Sequence, residues 1–314
     1  MRLRPRARAG EPASSAGLSW TALRRSLARS AGGWAFVTPA TLLITLFSLV
    51  PIGWSLLLSF QHDDLLSPPS WVGVRNYRQL ARDPLFLASV RHTLVYALLF
   101  VPLSIGLALA IAIGLNRKIR FVKLYRTAVF VPVVASPVAT AIIFNWLLDP
   151  SYGLVNYGLD RVGLPTQRFF QDPNQALYCI VAMTVWGWLG FDAIIYLAAL
   201  QGIPRELLEA AAIDGAGRWT VLRRVVLPLL GPATLFLLVW STINALQLFD
   251  EVYVTTRGGP LHATTVIVYL LYDRAFHFFE GGYAAAIAYV LFVAILLLTC
   301  LQLWIGSRKV HYES

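Results

Sequence analysis

Charge is scarce in this sequence. Only 13% of its 314 residues are Asp, Glu, Lys or Arg, whereas 57% are hydrophobic, and the mean hydropathy is +0.64. This composition lies far from the average of soluble domains and indicates a membrane protein. Cysteine is nearly absent as well. Cys179 and Cys300 both fall in apolar runs, so neither a disulfide framework nor a metal site is expected.

Catalytic and nucleotide-binding motifs are also missing. The sequence has no G-x-x-x-x-G-K-[ST], no H-E-x-x-H and no G-x-S-x-G. None of the three lysines, Lys118, Lys123 and Lys309, lies in a glycine loop that could cradle phosphates. We therefore expect no enzyme, no metal and no cofactor bound by this chain. If ATP is used, another subunit binds it.

Six apolar runs are long enough to cross a bilayer. An α-helix needs about 20 residues to span a hydrocarbon core of roughly 30 Å. None of the runs contains Lys or Arg, whose charge is expensive at the bilayer centre. We predict an all-α integral membrane protein with six transmembrane helices. The predicted spans are 34–60, 92–115, 127–148, 178–200, 229–253 and 283–305.

The basic residues orient these spans, because Lys and Arg stay on the cytoplasmic side. With both termini cytoplasmic, the inner segments hold 18 of the 26 Lys and Arg residues: seven in 1–33, five in 116–126, four in 201–228 and two in 308–314. The net charge of +10 is thus mostly a topology signal. It gives no support for a nucleic-acid partner, and membrane lipid is the surrounding phase.

The chain outside the spans is short. Residues 1–33 read as a flexible basic extension with a short surface helix near 20–29, and 306–314 as a cytoplasmic tail. A twin-arginine export signal at Arg24 and Arg25 is disfavoured, because the apolar run is too long and no cleavage site follows. Prolines at 102, 132 and 137 predict kinks in the second and third spans.

A polar segment, 206–232, separates the fourth and fifth runs. Pro204 fits the first turn of a helix, and acidic residues near that end complement its dipole, which predicts a helix over 204–213. Gly215 permits the positive φ that ends a helix, and a second helix follows until Pro228 breaks it. We predict two short helices at an angle, forming a docking surface instead of a merely solvated loop.

This segment resembles the signature of the inner-membrane permease subunits of binding-protein-dependent ABC importers. The family pattern is Glu-Ala-Ala, three residues, Gly, nine residues, a β-branched aliphatic residue, one residue, Leu-Pro. The resemblance extends over about 34–305, and FDEVYVTTRGGP at 249–260 is similar to the maltose-type carbohydrate branch. The matching and adjoining residues are Glu209, Ala210, Ala211, Asp214, Gly215, Ala216, Val225, Leu227 and Pro228.

The resemblance implies a type I importer permease fold over 34–305 and a division of labour in the cell membrane. An extracytoplasmic binding protein delivers a sugar or polyol. This chain and a second, usually non-identical permease form the path. Two ATPase subunits bind ATP and magnesium, and the loop at about 201–228 couples to one of them through the signature residues.

The segments 61–91, 149–177 and 254–282 are the sizeable external ones, so we expect them to form the docking surface for the binding protein. Exposed aromatic side chains are the expected contacts, although anchoring of helix ends in the membrane interface explains any one of them equally well. The aromatic residues in question are Tyr152, Tyr157, Phe169 and Phe170.

The fifth span carries a candidate solute path. Trp240, Asn244, Gln247 and Glu251 recur every three or four residues, which in a continuous helix places them on one face. An indole, two amides and a carboxylate suit a hydroxyl-rich solute, and helix–helix hydrogen bonding is the alternative. Asp250 joins this stripe or caps the span. The lack of basic residues in the spans favours a neutral solute, with Arg257 as the one reservation towards glycerol phosphates.

Two other classes of protein compete with the importer. An ion-driven secondary transporter would bury ionisable residues and often show repeats, yet the only acid deep in a span is Asp192 and no repeat is visible. Asp192 therefore serves the solute path or hydrogen-bonds a neighbouring helix at the contact between subunits. A membrane enzyme lacks any cluster of nucleophile, base or metal ligands.

Overall fold

The computed structural model describes residues 34–64, 67–117 and 120–309. The predicted basic extension, its helix near 20–29 and the end of the tail lie outside these ranges. The chain divides into two units, Met1–Ser55 and Leu56–Ser314. The first contributes most of one helix, and the second contains all of the sites described below.

Helices form nearly all of the described chain. The spans and their connections begin and end as follows: α1 Trp34–Ser59, β1 Gln61–His62, β2 Ser70–Trp71, α2 Arg75–Leu80, α3 Pro84–Leu115, α4 Val122–Val134, α5 Pro137–Leu147, α6 Leu154–Arg161, α7 Ala176–Gln201, α8 Arg205–Ile213, α9 Arg218–Val221, α10 Leu227–Leu229, α11 Gly231–Leu246, α12 Asp250–Thr255, α13 Ile267–Tyr272 and α14 Gly281–Lys309. The two short strands pair antiparallel, with Gln61 opposite Trp71.

Within the described ranges, five helices are long and apolar enough to cross a membrane, and a bent pair, α4 and α5, brings the number to six if the two helices together form one span. The predicted all-α membrane fold is confirmed. The second span begins at Pro84, eight residues before the predicted start, because the Asp83 carboxylate accepts a hydrogen bond of 2.8 Å from the Leu85 N–H and Pro84 fits the first turn. The last span continues past the predicted end at 305, to Lys309.

The third span, which the sequence predicts to be kinked, is broken into two helices. Helices α4 and α5 meet at 99° around Ala135 and Ser136, both of which have extended backbone. Ser136 caps α5 by accepting a hydrogen bond of 3.2 Å from the Ala139 N–H, and Pro137 occupies the first turn. The predicted kink at Pro132 and Pro137 is therefore a sharp corner. Helix α3 runs through Pro102 without interruption.

Helices α3, α4 and α7 pack closely in the middle of the second unit. Gly190 on α7 lies against α4 so tightly that a β-carbon there would collide with the Val129 carbonyl oxygen and approach the Phe130 Cα to 3.0 Å. Small residues allow this kind of close backbone approach between spans. The packing fixes α7 against the corner of the third span.

Candidate functional site

The polar segment forms the predicted helical hairpin. Helix α8 ends at Ile213, and Gly215 follows with φ of 75°. The Ala216 N–H donates to the Ala211 carbonyl at 3.0 Å, and the Gly215 N–H donates to the Ala212 carbonyl at 3.1 Å. This pair of bonds is a Schellman motif, which closes the end of a helix and requires a left-handed residue.

The second arm of the hairpin differs from the prediction. Helix α9 passes into a π turn, Leu222–Val226, and the helical path continues through Pro228 as α10, so the prediction that Pro228 breaks the helix was wrong. Proline lacks an N–H and normally clashes with the carbonyl four residues back. The wider π turn, in which the Leu227 N–H bonds the Leu222 carbonyl, relieves both problems. The same arrangement occurs at Thr45–Leu49, two residues before Pro51.

The hairpin is exposed. Among its described helical residues from Arg205 to Val226 none is buried. Two apolar side chains stand out, since Ile213 is 86% and Trp219 is 71% exposed. Glu209 and Asp214, one on each side of the small alanines, are exposed too. An elbow of small residues with apolar and acidic side chains around it is a surface that another protein can cover.

A central cavity lies where two broken spans meet. The corner of the third span contributes Ala135 and Thr140, and α7 contributes Thr184 and Trp188. The other wall comes from the fifth span, which is interrupted between Leu246 and Asp250. The cavity has a volume of about 40 Å³, which suffices for a few water molecules and is too small for a sugar. At this volume the cavity itself is closed to a sugar.

Among the described residues, Glu251 is the only charged side chain that lines the central cavity. It is half-buried and forms no ion pair within the described ranges. Its neighbour Thr184 accepts a hydrogen bond of 2.9 Å from the Tyr96 hydroxyl and donates to the Ile180 carbonyl at 2.8 Å. The cavity thus presents one carboxylate, two threonines and one indole.

The predicted stripe on the fifth span is not one helical face. Helix α11 ends at Leu246, and Phe249 has φ of −143°, so the rotation of 100° per residue does not continue to Glu251. The Trp240 ring packs on Phe191 and Phe236, at 5.8 and 6.3 Å between centroids. The Asn244 amide donates to the Trp240 carbonyl at 2.8 Å, whereas Gln247 and Asp250 are exposed at the break.

Asp192 lies away from the central cavity. Its side chain is buried between α3 and α7, where the Ser104 hydroxyl donates a hydrogen bond to it. Of the two roles predicted for Asp192, the structure places it in a helix–helix contact, and that contact lies within this chain instead of between subunits.

The connections at the opposite end of the spans from the hairpin, which we call the loop side, comprise 60–83, 148–175 and 256–280. Tyr152 and Tyr157 are exposed there, by 71% and 57%. Phe170 is only 9% exposed, so the prediction that it contacts a partner was wrong. Its ring belongs to the apolar core around α7, because a short 3₁₀ turn, Phe169–Gln171, directs it inwards.

Sequence reasoning missed Thr140 and Trp188. A signal for Thr140 existed, because Ser136 and Pro137 together mark a helix start and put Thr140 in its first turn. Trp188 carried no comparable signal, since one of ten tryptophans in an apolar chain is most often packing. Trp188 is identified only by its position in the structure, where the breaks in the third and fifth spans meet.

The fold and the hairpin define a multi-pass membrane subunit with a protruding docking element. The family model described as "Binding-protein-dependent transport system inner membrane component" matches residues 103–311. The chain belongs to this family and is a permease subunit of an ABC importer in the inner membrane. The resemblance noted in the sequence is confirmed, and the ion-driven transporter and the enzyme are not favoured.

Curated relatives cover nearly the whole chain. The lactose transport system permease protein LacF of Rhizobium radiobacter is 37% identical over 92% of this chain and 99% of its own length. The sn-glycerol-3-phosphate transport system permease protein UgpA of Pectobacterium atrosepticum is 33% identical over 89% and 95%. A crystal structure of a bacterial ABC transporter involved in the import of the acidic polysaccharide alginate matches with a TM-score of 0.80, at 26% identity, over 92% of this chain and 100% of that one.

Proposed function

We propose that this chain forms, with a second permease, the path for a neutral sugar or polyol, and that its hairpin couples this path to an ATPase. The observation that carries the proposal is the carboxylate of Glu251, which has no ion-pair partner among the described residues and lies where two broken spans meet. A carboxylate without a cation accepts hydrogen bonds from hydroxyl groups and repels an anionic solute. Trp188 adds a flat apolar surface, and Thr140 adds a hydroxyl.

The partners follow from the class of transporter. A binding protein would deliver the solute to the loop side, and an ATPase carrying ATP and magnesium would bind the hairpin. In that interface the exposed side chains of Ile213 and Trp219 would supply apolar contact area. Glu209 and Asp214 would supply charged hydrogen bonds at the rim of the interface. The basic residues near the hairpin end, among them Arg126, Arg218 and Arg223, favour a cytoplasmic location for it.

A phosphorylated solute is the second candidate. A glycerol-phosphate permease is among the relatives, and Arg168 and Arg257 on the loop side form no ion pair within the described ranges. Arginine binds phosphate in a bidentate way. Neither arginine lines the central cavity, however, and the carboxylate of Glu251 does.

The test is uptake by the complete transporter, reconstituted with its partner permease, ATPases and binding protein. Lactose and sn-glycerol 3-phosphate serve as the two probes. We expect transport of lactose, and a fall of about tenfold in its uptake for Glu251→Gln, because a charged hydrogen bond contributes more than a neutral one. Selective transport of sn-glycerol 3-phosphate, or unchanged lactose uptake in Glu251→Gln, would refute the neutral-solute proposal.

A further inference from the structure

A second pocket opens on the loop side, further along the same two helices. Asn145 lies five residues beyond Thr140 on α5, and Thr255 lies four residues beyond Glu251 on α12. At 1.5 Å per residue these offsets place the pocket about 6 to 8 Å further towards the loop side. Its volume is about 560 Å³, which falls in the usual range for small-molecule sites.

Polar side chains line this loop-side pocket with unused hydrogen-bonding groups. The Arg168 guanidinium and the Gln171 amide have no hydrogen bond or ion pair within the described part of the chain. The Asp149 Oδ1 atom accepts from the backbone N–H groups of Ser151 and Tyr152, at 2.8 and 3.2 Å. Its Oδ2 atom has no partner among the same residues. The pocket therefore offers donors and acceptors side by side.

Aromatic side chains flank these groups. Trp146 and Tyr152 line the pocket and are 68% and 71% exposed, and neither ring packs on another ring in the described chain. Exposed aromatic faces next to planar polar groups provide what a sugar ring needs, an apolar face to stack on and partners for its hydroxyls.

The walls of the pocket are held in place before any ligand binds. The Asn156 amide donates to the Pro150 carbonyl at 3.2 Å and to the Gln167 carbonyl at 2.8 Å, and its Oδ1 atom accepts from the Gln167 N–H at 2.9 Å. The Gln175 amide donates to the Gln167 side chain at 2.8 Å. These bonds fix the segments that carry Asp149 and Arg168, so less ordering entropy is lost on binding.

We propose that the loop-side pocket is a saccharide subsite that receives a neutral, hydroxyl-rich solute while the central cavity is closed. The inference rests on the proposed function. Arg168 and Asp149 carry opposite charges, so their combination suits hydroxyls, which donate and accept, better than a solute with net charge. The two pockets coexist in one conformation, in which only the loop-side pocket, at about 560 Å³ against about 40 Å³, has room for a sugar.

Cysteine protection tests this subsite directly. The two native cysteines are replaced by alanine, and Gln171→Cys is compared with Arg161→Cys, an exposed site on α6 that does not line the pocket. The assembled transporter, without its binding protein, is treated with an anionic thiosulfonate in the presence of lactose. We define the lactose midpoint as the concentration that gives half of the full protection. At ten times this concentration we expect modification of Gln171→Cys to slow about tenfold, in proportion to the fraction of pockets that hold no lactose. Arg161→Cys should be unaffected.

Three outcomes would overturn the subsite. Equal modification rates with and without lactose would show that no sugar binds there. Protection by sn-glycerol 3-phosphate but not by lactose would show that the pocket binds a phosphorylated solute and not a neutral sugar. Protection only after the binding protein is added would make the pocket a protein-docking contact.

A further cysteine separates this inference from the proposed function. Thr140→Cys, in the central cavity, is tested in the complex trapped with its binding protein and a non-hydrolysable ATP analogue. Protection by lactose at Thr140→Cys without protection at Gln171→Cys refutes the subsite alone. Protection at neither position refutes both proposals. As an independent check, Arg168→Ala should raise the lactose midpoint at Gln171→Cys about tenfold, the loss expected for one charged hydrogen bond, whereas Arg161→Ala should not. An unchanged midpoint in Arg168→Ala would also overturn the subsite.

Discussion

The hydroxyl of Ser104 on α3 donates a hydrogen bond of 2.5 Å to the Oδ2 atom of Asp192 on α7. Both side chains are buried. Asp192, the one acid deep in the fourth span, thus forms its side-chain hydrogen bond within this chain. The bond joins α3 and α7, which pack against each other more extensively than any other two described helices. A carboxylate that moved protons or ions would need access to water, which Asp192 lacks here.

Asp192→Asn tests this structural role. Asparagine retains an oxygen that accepts the Ser104 hydrogen bond, so we expect uptake and melting temperature close to those of the unmodified protein. Asp192→Leu should destabilise the chain by about 1 to 3 kcal/mol, because the Ser104 hydroxyl loses its acceptor and the larger side chain does not fit. Uptake assays and thermal unfolding of the purified complex measure both effects. Loss of transport in a stable Asp192→Asn variant would contradict the structural role.

The elbow of the hairpin provides a matched pair of glycines. Gly215 has φ of 75° and Gly217 has φ of −67°, and a β-carbon at either position would meet nothing within 4 Å. Gly215→Ala should therefore strain only the backbone, by about 1 to 2 kcal/mol, whereas Gly217→Ala, at the N-cap of α9, should cost less, about 0.5 kcal/mol. We expect Gly215→Ala to lower solute-stimulated ATPase activity and co-purification of the ATPase, and Gly215→Val to lower them further. Equal behaviour of Gly215→Ala and Gly217→Ala would rule out the elbow as the coupling element.

The contact between α7 and α4 depends on Gly190. Gly190→Ala would drive a methyl group into the α4 backbone at Val129 and Phe130, so we expect a lower melting temperature and poor membrane expression. Gly114→Ala, at a site with nothing within 4 Å, should be neutral or slightly stabilising. Normal stability of Gly190→Ala would mean that the two helices separate easily.

The residues near the break in the fifth span remain candidates for the solute path. Asn244→Ala combined with Gln247→Ala should lower lactose uptake while assembly and basal ATPase activity survive, because both amides lie close to the break that leads to Glu251. Gel filtration of the complex provides the control for assembly. Normal uptake by the double variant would confine the solute contacts to the central cavity and the loop-side pocket.

Hydropathy located all six spans, because a bilayer demands long apolar runs whatever the tertiary fold. It placed the start of the second span too late, since Arg91 near the loop-side end interrupts the apolar run. The corner at Ser136 and Pro137 was visible in principle, because a capping serine before proline marks a helix start. The apolar run nevertheless continues across the corner, so hydropathy alone does not separate α4 from α5.

The break in the fifth span had no sequence signal. Neither proline nor glycine occurs between Leu246 and Asp250, so no residue type in the sequence marks the interruption. Helical periodicity, which assumes a continuous helix, consequently placed Trp240, Asn244, Gln247 and Glu251 on one face although the helix ends at Leu246. The hairpin was predictable in detail at Gly215, where backbone geometry dictates the residue, and not at Pro228, where a π turn accommodates the proline.

That π turn has a mechanical consequence. The Leu230 N–H bonds the Val226 carbonyl at 3.0 Å, and the Thr234 N–H bonds the Leu230 carbonyl at 2.8 Å, so helical hydrogen bonding continues from the hairpin into α11. The path is nevertheless not one uninterrupted helix, because Leu230, with ψ of 0°, separates α10 from α11 just before Gly231 and Pro232. Proline, glycine and π turns are the usual sites of helix bending. A displacement of Trp219 by a docked partner would therefore reach α11 through hydrogen-bonded turns that can bend at Leu230.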